Sequence, residues 1–213
     1  MNNKKVIPVK LYDKTLNKER LKSVAGEVSI KVINKNGEIE DIQKQNTVVI
    51  VGRNAMFQKL TDVIHTITDE NGNNVTDARP YILNFFCIGS GGAPSSDPFN
   101  PVSPNQSDTK LASYIYIGDP STSITNDKTH KLVDSKTFTN DTTMLVTFTI
   151  DFSEANPNEF GNGNAVFINE AGLSLGNVAD SSADSFILFT RATFSTIEKT
   201  PDRKLEFEWY LYF

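Results

Sequence analysis

Histidine and cysteine, the side chains that most often bind zinc or attack a substrate, are scarce in this chain. The sequence contains two histidines, His65 and His130, and one cysteine, Cys87. Neither histidine has a second imidazole or a thiol at the short spacing typical of a zinc site. Cys87 lies in the apolar run YILNFFCIG, which predicts a buried and unreactive thiol. We therefore predict no metal ligands, no cofactor and no thiol nucleophile.

Two loop-forming stretches partly match ligand-binding motifs. GSGG at 89–92 follows a predicted strand, as a phosphate-binding loop would, but lacks the Lys-Ser/Thr ending of a P-loop. In DENGNNVTD, Asp69, Asn71 and Asn73 match the first ligand spacings of a helix–loop–helix calcium site. Its glycine comes two positions early, however, and Pro80 stands where the bidentate glutamate belongs. Both stretches are predicted to be turns, with calcium binding as the alternative for the second.

The remaining candidates for chemistry are carboxylates and aromatic rings. Nothing in the spacing of the 26 acidic residues singles out a pair for glycoside hydrolysis. Tyr114, Tyr116, Tyr210 and Tyr212 alternate outward on predicted strands. Such rings would either stack on sugars or contact a second sheet or a partner subunit, and we favour the second role. We therefore expect no catalytic residues and a protein that is not an enzyme.

Charge is distributed unevenly along the chain. Residues 1–22 hold seven basic and two acidic residues, a net charge of +5, which leaves −10 for the rest of a chain whose total is −5. The basic residues are Lys4, Lys5, Lys10, Lys14, Lys18, Arg20 and Lys22. This N-terminal arm, residues 1–24, would either dock on an acidic surface of another subunit or lie solvated. The acidic remainder disfavours nucleic acid as a partner.

Targeting signals and membrane spans are not apparent in the sequence. No apolar run reaches the roughly 18 residues of a membrane-spanning helix. The first residues, MNNKKVIPVKLYDK, lack the continuous apolar core of a secretion signal. We therefore expect a protein made in the cytoplasm, with no membrane partner.

Alternating apolar and polar residues predict several half-buried strands. KLEFEWYLYF, residues 204–213, places five apolar side chains on one face, and SFILFTRATF, residues 185–194, is expected to pair with it. The five are Leu205, Phe207, Trp209, Leu211 and Phe213. Residues 27–34 and 38–45 alternate similarly around Asn36-Gly37, which predicts a hairpin with a two-residue type I′ turn.

One stretch has helical spacing instead. At about 53–67 the apolar residues recur with the period of an amphipathic helix, whose apolar stripe is expected to cover the sheet. The stripe consists of Met56, Phe57, Leu60, Val63, Ile64 and Ile67. A short apolar strand at 47–51 is expected just before it.

The other predicted strands cover 80–88, 111–117, 130–138, 142–152, 165–169 and 173–175. The strands at 130–138 and 142–152 are expected to pair, and those at 165–169 and 173–175 are separated by a break at Glu170-Ala171-Gly172. About ten short strands, one helix and no βαβ alternation predict a mainly β fold, an antiparallel, jelly-roll-like β-sandwich. Residues 25–213 would form this single domain, with a long Gly-, Ser- and Pro-rich loop at 89–110.

Three pieces of the chain, taken together, resemble structural proteins of tailed-bacteriophage virions. They are NTVVIVGRNAMFQKL at 46–60, ILNFFCIGSGGAPSS at 82–96, and INEAGLSL at 168–175 followed by FILFTRATFSTIEKTPDRKLEFEWYLYF at 186–213. The order is similar to that of β-sandwich modules in tail-fibre, baseplate and collar proteins. A Glu-Ala-Gly-Leu strand there precedes a Leu-Phe-x-Arg-x-x-Phe strand and a final Trp-containing strand. The resemblance implies packing roles and brings no catalytic residues.

The resemblance implies a virion building block that contacts other virion proteins and copies of itself. A place in the tail, baseplate or fibre attachment is favoured over head decoration, and a carbohydrate- or receptor-binding module is the alternative. We expect the interface to involve the arm and the loop, which would order on contact with neighbours. The residues predicted to lie at this interface are Lys4, Lys5, Lys10, Pro98, Phe99, Pro101, Tyr114 and Tyr116.

One structural ion pair is also expected. Glu170 lies at the predicted strand break and Arg191 lies on the next strand of the motif, so the two side chains would pair. The alternative is two separately solvated charges.

Overall fold

The computed structural model describes residues 25–118, 129–155, 165–177 and 185–212, which contain eleven strands and one helix. The helix, α1, spans Ile50–Thr61. The strands are β1 (Ala25–Asn34), β2 (Ile39–Val48), β3 (Ile67–Thr68), β4 (Asn74–Val75), β5 (Tyr81–Gly89), β6 (His130–Leu132), β7 (Ser135–Asn140), β8 (Thr143–Ile150), β9 (Val166–Asn177), β10 (Phe186–Lys199) and β11 (Arg203–Tyr212).

Nine of these strands form one sheet in the order β6-β5-β9-β10-β2-β1-β11-β8-β7. Every pairing in it is antiparallel. The strands β3 and β4 form a separate two-stranded ribbon. The prediction of a mainly β, antiparallel fold with one helix is therefore confirmed for the described residues. No helix among them is both long and apolar enough to cross a lipid bilayer.

The sheet curls until its two edge strands meet. Only Val133 and Asp134 separate β6 from β7, although these strands lie at opposite edges of the sheet. The backbone N–H of Val133 donates to Asn84 of β5 at 2.9 Å, and that of Asp134 donates to Thr147 of β8 at 2.8 Å. The chain thus passes directly from one edge to the other, and the sheet encloses a single main core.

Aromatic rings fill the centre of this core. Phe86 of β5 stacks on Phe148 of β8 with 4.0 Å between ring centroids, although the two strands are not neighbours in the sheet. Phe148 also stacks on Phe207 at 4.4 Å and lies 6.2 Å from Trp209. The alternation predicted for β11 is confirmed, since Leu205, Phe207, Trp209 and Leu211 are all buried. Phe213 lies outside the described residues.

The two closing strands do not pair with each other, contrary to the prediction from their sequence order. β10 is bonded to β9 and β2, whereas β11 is bonded to β1 and β8. The β1–β2 hairpin lies between them. It offers β11 a partner along its whole length, from Gly26 opposite Leu211 to Asn34 opposite Arg203. Each closing strand therefore has a hydrogen-bonded neighbour on both sides.

The predicted β1–β2 hairpin is confirmed, but its turn is longer than predicted. The N–H of Asn34 donates to the carbonyl of Glu38 at 3.0 Å, which leaves three residues in the turn. Gly37 has φ of 89°, the left-handed conformation that closes three-residue hairpin loops. A type I′ turn would also require positive φ at Asn36, which is not found. The adjacent apolar run at 47–51 is divided between the end of β2 and the start of α1.

The helix is shorter than predicted and presents a different face to the sheet. It ends at Thr61, where Asp62 adopts a left-handed φ of 57° and its N–H donates to the carbonyl of Gln58. The buried helical residues are Gly52, Ala55 and Gln58. At Gly52 an added Cβ would lie 2.6 Å from the Cα of Phe189, so only glycine permits this close approach to β10.

Four of the six residues of the predicted apolar stripe therefore face solvent, whereas Met56 packs against the main core and Ile67, on β3, is buried in it. Phe57, Leu60, Val63 and Ile64 are 53%, 75%, 64% and 56% exposed. Spacing alone predicted the wrong buried face, because small residues at 52 and 55 allow a closer approach to the sheet than the larger side chains would. We call these four residues the helix-end patch.

Candidate functional site

Both faces of β9 are buried, which is unusual for an antiparallel strand. Ala171, Leu173 and Leu175 belong to the main core. Alternate residues point to opposite sides of a sheet, so Glu170, Gly172 and Ser174 face the other side, here called the outer face. These residues are buried as well. The predicted break at Glu170 is therefore wrong: β9 runs unbroken through it, and the polar residues serve a second packed layer.

Residues 89–118, here called the covering segment, supply much of that second layer. The carboxylate of Glu170 accepts backbone N–H groups of Gly91 at 2.9 Å, Ser113 at 2.9 Å and Ala112 at 3.2 Å. It also accepts two bonds from Arg191, from Nε at 3.0 Å and Nη2 at 2.5 Å. One fully buried carboxylate thus holds two separate stretches of the covering segment against the sheet.

The structure brings together the two residues expected to form an ion pair. Arg191 Nη2 lies 2.5 Å from Glu170, and Arg191 Nη1 lies 2.6 Å from Asp108. One guanidinium therefore joins β9, β10 and the covering segment. Asp108 is a partner that sequence inspection did not identify, because it lies in a loop of irregular composition. The charge of the buried Glu170 is thus compensated by Arg191, and Asp108, which is partly exposed, binds the same guanidinium.

The GSGG stretch packs tightly against the strand beside it. The N–H of Gly91 is bound to Glu170, and that of Gly92 donates to the Asn169 side chain at 2.6 Å. A Cβ at Gly92 would lie 2.2 Å from the Asn169 carbonyl oxygen. The glycines are therefore needed for close approach, and the amides that would hold a phosphate are already occupied by protein oxygens.

The centre of the covering segment is fastened to β10. The hydroxyl of Thr193 donates to the carbonyl of Val102 at 2.7 Å. Thr196 donates its N–H and its hydroxyl to the carbonyl of Pro98, at 2.9 Å and 2.8 Å, and the Ser195 hydroxyl donates to Phe99 at 3.1 Å. The protein's own sheet thus supplies contacts that order residues 89–110, where the sequence leads us to expect neighbouring subunits to do so.

A second polar cluster lies around Glu70, in the turn between β3 and β4. Its carboxylate accepts hydrogen bonds from the Tyr114 hydroxyl and, at 2.6 Å, from the Ser174 hydroxyl. The Nε2 atom of His130 lies 3.1 Å from the same carboxylate, and the imidazole stacks on Phe186 with 3.8 Å between centroids. Glu70 and His130 are each only 5% exposed, so this cluster is closed to solvent.

Tyr114 therefore lies differently from its prediction. Residues 111–117 form no regular strand; only an isolated bridge joins Tyr114 to Gly89. The ring points its hydroxyl at buried Glu70 and is not outward-facing. The hydroxyl also accepts the N–H of Leu111 at 3.3 Å. Polar bonding at the hydroxyl decides the orientation, which the apolar alternation alone does not reveal.

The Asn-rich turn that resembled a calcium loop uses its acid internally. Asp69 is buried, and its carboxylate accepts the backbone N–H groups of Asn71 at 2.9 Å and Asn73 at 2.7 Å. It also accepts the hydroxyl of Ser185 at 3.0 Å. These bonds close the β3–β4 turn and join it to the start of β10, in keeping with the predicted Asn/Gly turn.

Cys87 is fully buried, as its apolar context predicts. Burial, together with the nearby charge of Glu70, raises the pKa of its thiol to about 11. We expect the native protein at neutral pH to react with a thiol reagent such as DTNB far more slowly than the unfolded protein, because the thiolate is the reactive form. The measurement is absorbance of the released thiolate with and without guanidinium. Rapid stoichiometric labelling of the native protein would contradict this placement.

The predicted interface residues are distributed over surface and interior. Phe99 is 74% exposed and Tyr116 is 50% exposed. Pro98 and Pro101 are partly buried, and Lys4, Lys5 and Lys10 lie outside the described residues. The helix-end patch was not predicted as an interface. The sequence does contain the apolar helical spacing of this patch, but the same spacing equally indicates a stripe that faces the core.

The fold and this site define a curled antiparallel β-sheet protein whose polar groups attach a covering segment to the outside of its sheet. Comparison of the chain with known protein-family models, with curated proteins and with solved structures finds no match.

Proposed function

We propose that this protein is a non-enzymatic structural component of a tailed-bacteriophage virion, assembling with other virion proteins and with copies of itself. The observation that carries the proposal is the use of its polar groups. The two buried clusters described above, at Glu170 and at Glu70, bind protein atoms and hold the covering segment in place. The buried carboxylates, the side chains that could most readily serve in catalysis, thus have a packing role.

The sequence resemblance supports the same role. The Glu-Ala-Gly-Leu and Leu-Phe-x-Arg-x-x-Phe motifs contribute Glu170 and Arg191, which pair at 2.5 Å. In this chain the motif residues thus fasten one layer of the domain to another. Motifs whose residues have such packing roles suit a module that acts as a rigid building block.

Exposed apolar side chains provide surfaces for assembly. The helix-end patch concentrates four large hydrophobic residues within eight positions of the chain, 57–64. Phe99 and Val102, on the covering segment, are 74% and 59% exposed. Clustered apolar side chains on a surface mark sites of protein association. Because the covering segment is held by its own sheet, it would present Phe99 and Val102 at a small entropic cost on binding.

For the architecture, we propose that the curled sheet is a jelly-roll-like β-sandwich whose two halves face each other across the main core. The contact between Phe86 and Phe148 at 4.0 Å supports this arrangement, because their strands lie on opposite sides of the curl. Within the virion, a place in the tail, baseplate or fibre attachment is favoured over head decoration.

The carbohydrate- or receptor-binding alternative receives less support. It relied on the rings of Tyr114, Tyr116, Tyr210 and Tyr212 being turned outward from the sheet. Tyr116 is exposed and Tyr210 and Tyr212 are half-buried, whereas the Tyr114 hydroxyl is bonded to the buried Glu70. With one ring turned inward and two half-buried, the tyrosines offer a smaller stacking surface than four outward rings would.

The test is mass spectrometry of particles purified from the phage or prophage that encodes the chain. We expect the protein in washed particles in several copies, and in the tail fraction after the particles are disrupted. A protein that accumulates in the lysate but is absent from washed particles would contradict the proposal. Recovery in the head fraction would support a structural role but contradict the place in the tail, and would favour head decoration.

A further inference from the structure

Three side chains with different metal-binding chemistry meet beside the outer face of the sheet. They are Glu70 from the β3–β4 turn, Cys87 from β5 and His130 from β6. One ligand atom of each residue lies within 4.8 Å of the ligand atoms of the other two. All three residues are at most 5% exposed. The three come from widely separated parts of the sequence, which is why ligand spacing along the chain gives no sign of this cluster.

The donor set is suited to zinc. Thiolate, imidazole and carboxylate are the three protein ligands that Zn²⁺ accepts most readily, usually four in a tetrahedron at about 2.0–2.3 Å. Hydroxyl groups adjoin the three ligands as well. Ser174 Oγ lies 2.6 Å from Glu70 and 3.9 Å from the Cys87 sulfur, and the Tyr114 hydroxyl is bonded to Glu70. These two hydroxyls hold the Glu70 carboxylate in place beside the other two ligands.

The charge balance gives an independent reason. Glu170, another buried carboxylate at this face, is paired with Arg191. Among the described residues, Glu70 forms no ion pair with a lysine or arginine; its partners are Tyr114, Ser174 and His130. A buried carboxylate without a fixed cation is costly. A divalent cation bound by one carboxylate, one thiolate and one neutral imidazole would leave the cluster with no net charge.

We propose that Glu70, Cys87 and His130 form a structural zinc site. On binding, the thiol proton of Cys87 leaves to solvent and the sulfur–zinc bond takes its place, while the imidazole binds as the neutral ligand. The ion would join the β3–β4 ribbon to β5 and β6. Ser174, through its hydrogen bond to Glu70, orients that carboxylate. This site goes beyond the proposed virion role and does not depend on it.

The experiment uses the full chain, freed of metal by dialysis against a chelator and then titrated with Co²⁺ and Zn²⁺. Wild type is expected to bind about one equivalent and to show, with Co²⁺, a sulfur-to-metal charge-transfer band in the near ultraviolet. Cys87→Ala is expected to lose that band. His65→Gln, which changes a histidine in an exposed position outside the cluster, is the matched control and should bind as wild type does.

A second variant keeps the test decisive if Cys87→Ala does not fold. Ser174→Ala retains all three proposed ligands, and its zinc affinity should fall by about 10- to 100-fold, the usual effect of removing a residue that orients a ligand. Absence of the charge-transfer band in wild type, or zinc affinity unchanged in Cys87→Ala or, where that variant does not fold, in Ser174→Ala, would overturn the proposal. The cluster would then be a hydrogen-bond network alone.

Discussion

Replacing Glu170 with glutamine is expected to lower the free energy of unfolding by about 3 kcal/mol, the lower part of the range for breaking a buried ion pair. The carboxylate has no exposed surface and holds Arg191 and three backbone N–H groups. Glutamine fits the space but carries no charge. Its amide NH₂ is itself a donor and would face the N–H donors that now bind the carboxylate. Asp108 still faces Arg191 and limits the loss. Equilibrium denaturation at neutral pH measures the change.

The matched control for this variant is Glu198→Gln. Glu198 also forms a glutamate–arginine pair, with Arg203 at 3.6 Å, but its side chain is 50% exposed. Exposed pairs contribute little, so we expect a change within about 0.5 kcal/mol. A similar loss in the two variants would show that Glu170 does not hold the covering segment in the way described.

Truncation of Phe148 to alanine is expected to have the other large effect, a loss of about 4 kcal/mol. Phe148 contacts the rings of Phe86, Phe207 and Trp209, so its removal leaves a cavity at the centre of the curled sheet. The same denaturation measurement detects the loss.

Phe138→Ala is the control for this truncation. Phe138 lies on the edge strand β7 and is 66% exposed. Its truncation should therefore change the free energy of unfolding by less than about 0.5 kcal/mol. If Phe148→Ala is as well tolerated as Phe138→Ala, the aromatic centre does not support the fold.

The strands were the most predictable part of this protein. The alternation in β1 and β11 specifies which side chains face the core, and all of Val28, Ile30 and Val32 are buried as expected. Such a pattern is local, and period-two alternation has one simple structural solution. Which strands become neighbours was less predictable: β10 and β11 are adjacent in sequence but separated by the β1–β2 hairpin, and the alternation within a strand does not specify its neighbour.

The buried face of the helix illustrates a different limit. Counting apolar residues favours Phe57 and Leu60, whereas the structure buries Gly52 and Ala55. A closely approaching backbone needs small side chains, and spacing rules that reward large apolar residues overlook them. The same limit explains why the apolar helix end becomes a candidate association surface.

The candidate site was predictable only where a motif carried it. Glu170 and Arg191 were identified as a pair because they lie on successive strands of one motif. Asp108, Glu70 and His130 were not connected with the site, since long-range folding brings them to it from loops and a short edge strand. Buried polar networks of this kind depend on contacts across the whole chain and leave little local trace.

The covering segment is a preformed, rigid part of the domain, held by Glu170. Native-state amide hydrogen exchange of wild type tests it most directly, at the N–H groups of Gly91 and Ser113, which donate to that carboxylate. We predict exchange nearly as slow as that of the buried strand β9, and markedly faster exchange at both amides in Glu170→Gln. Fast, loop-like exchange at Gly91 and Ser113 in wild type would contradict the claim.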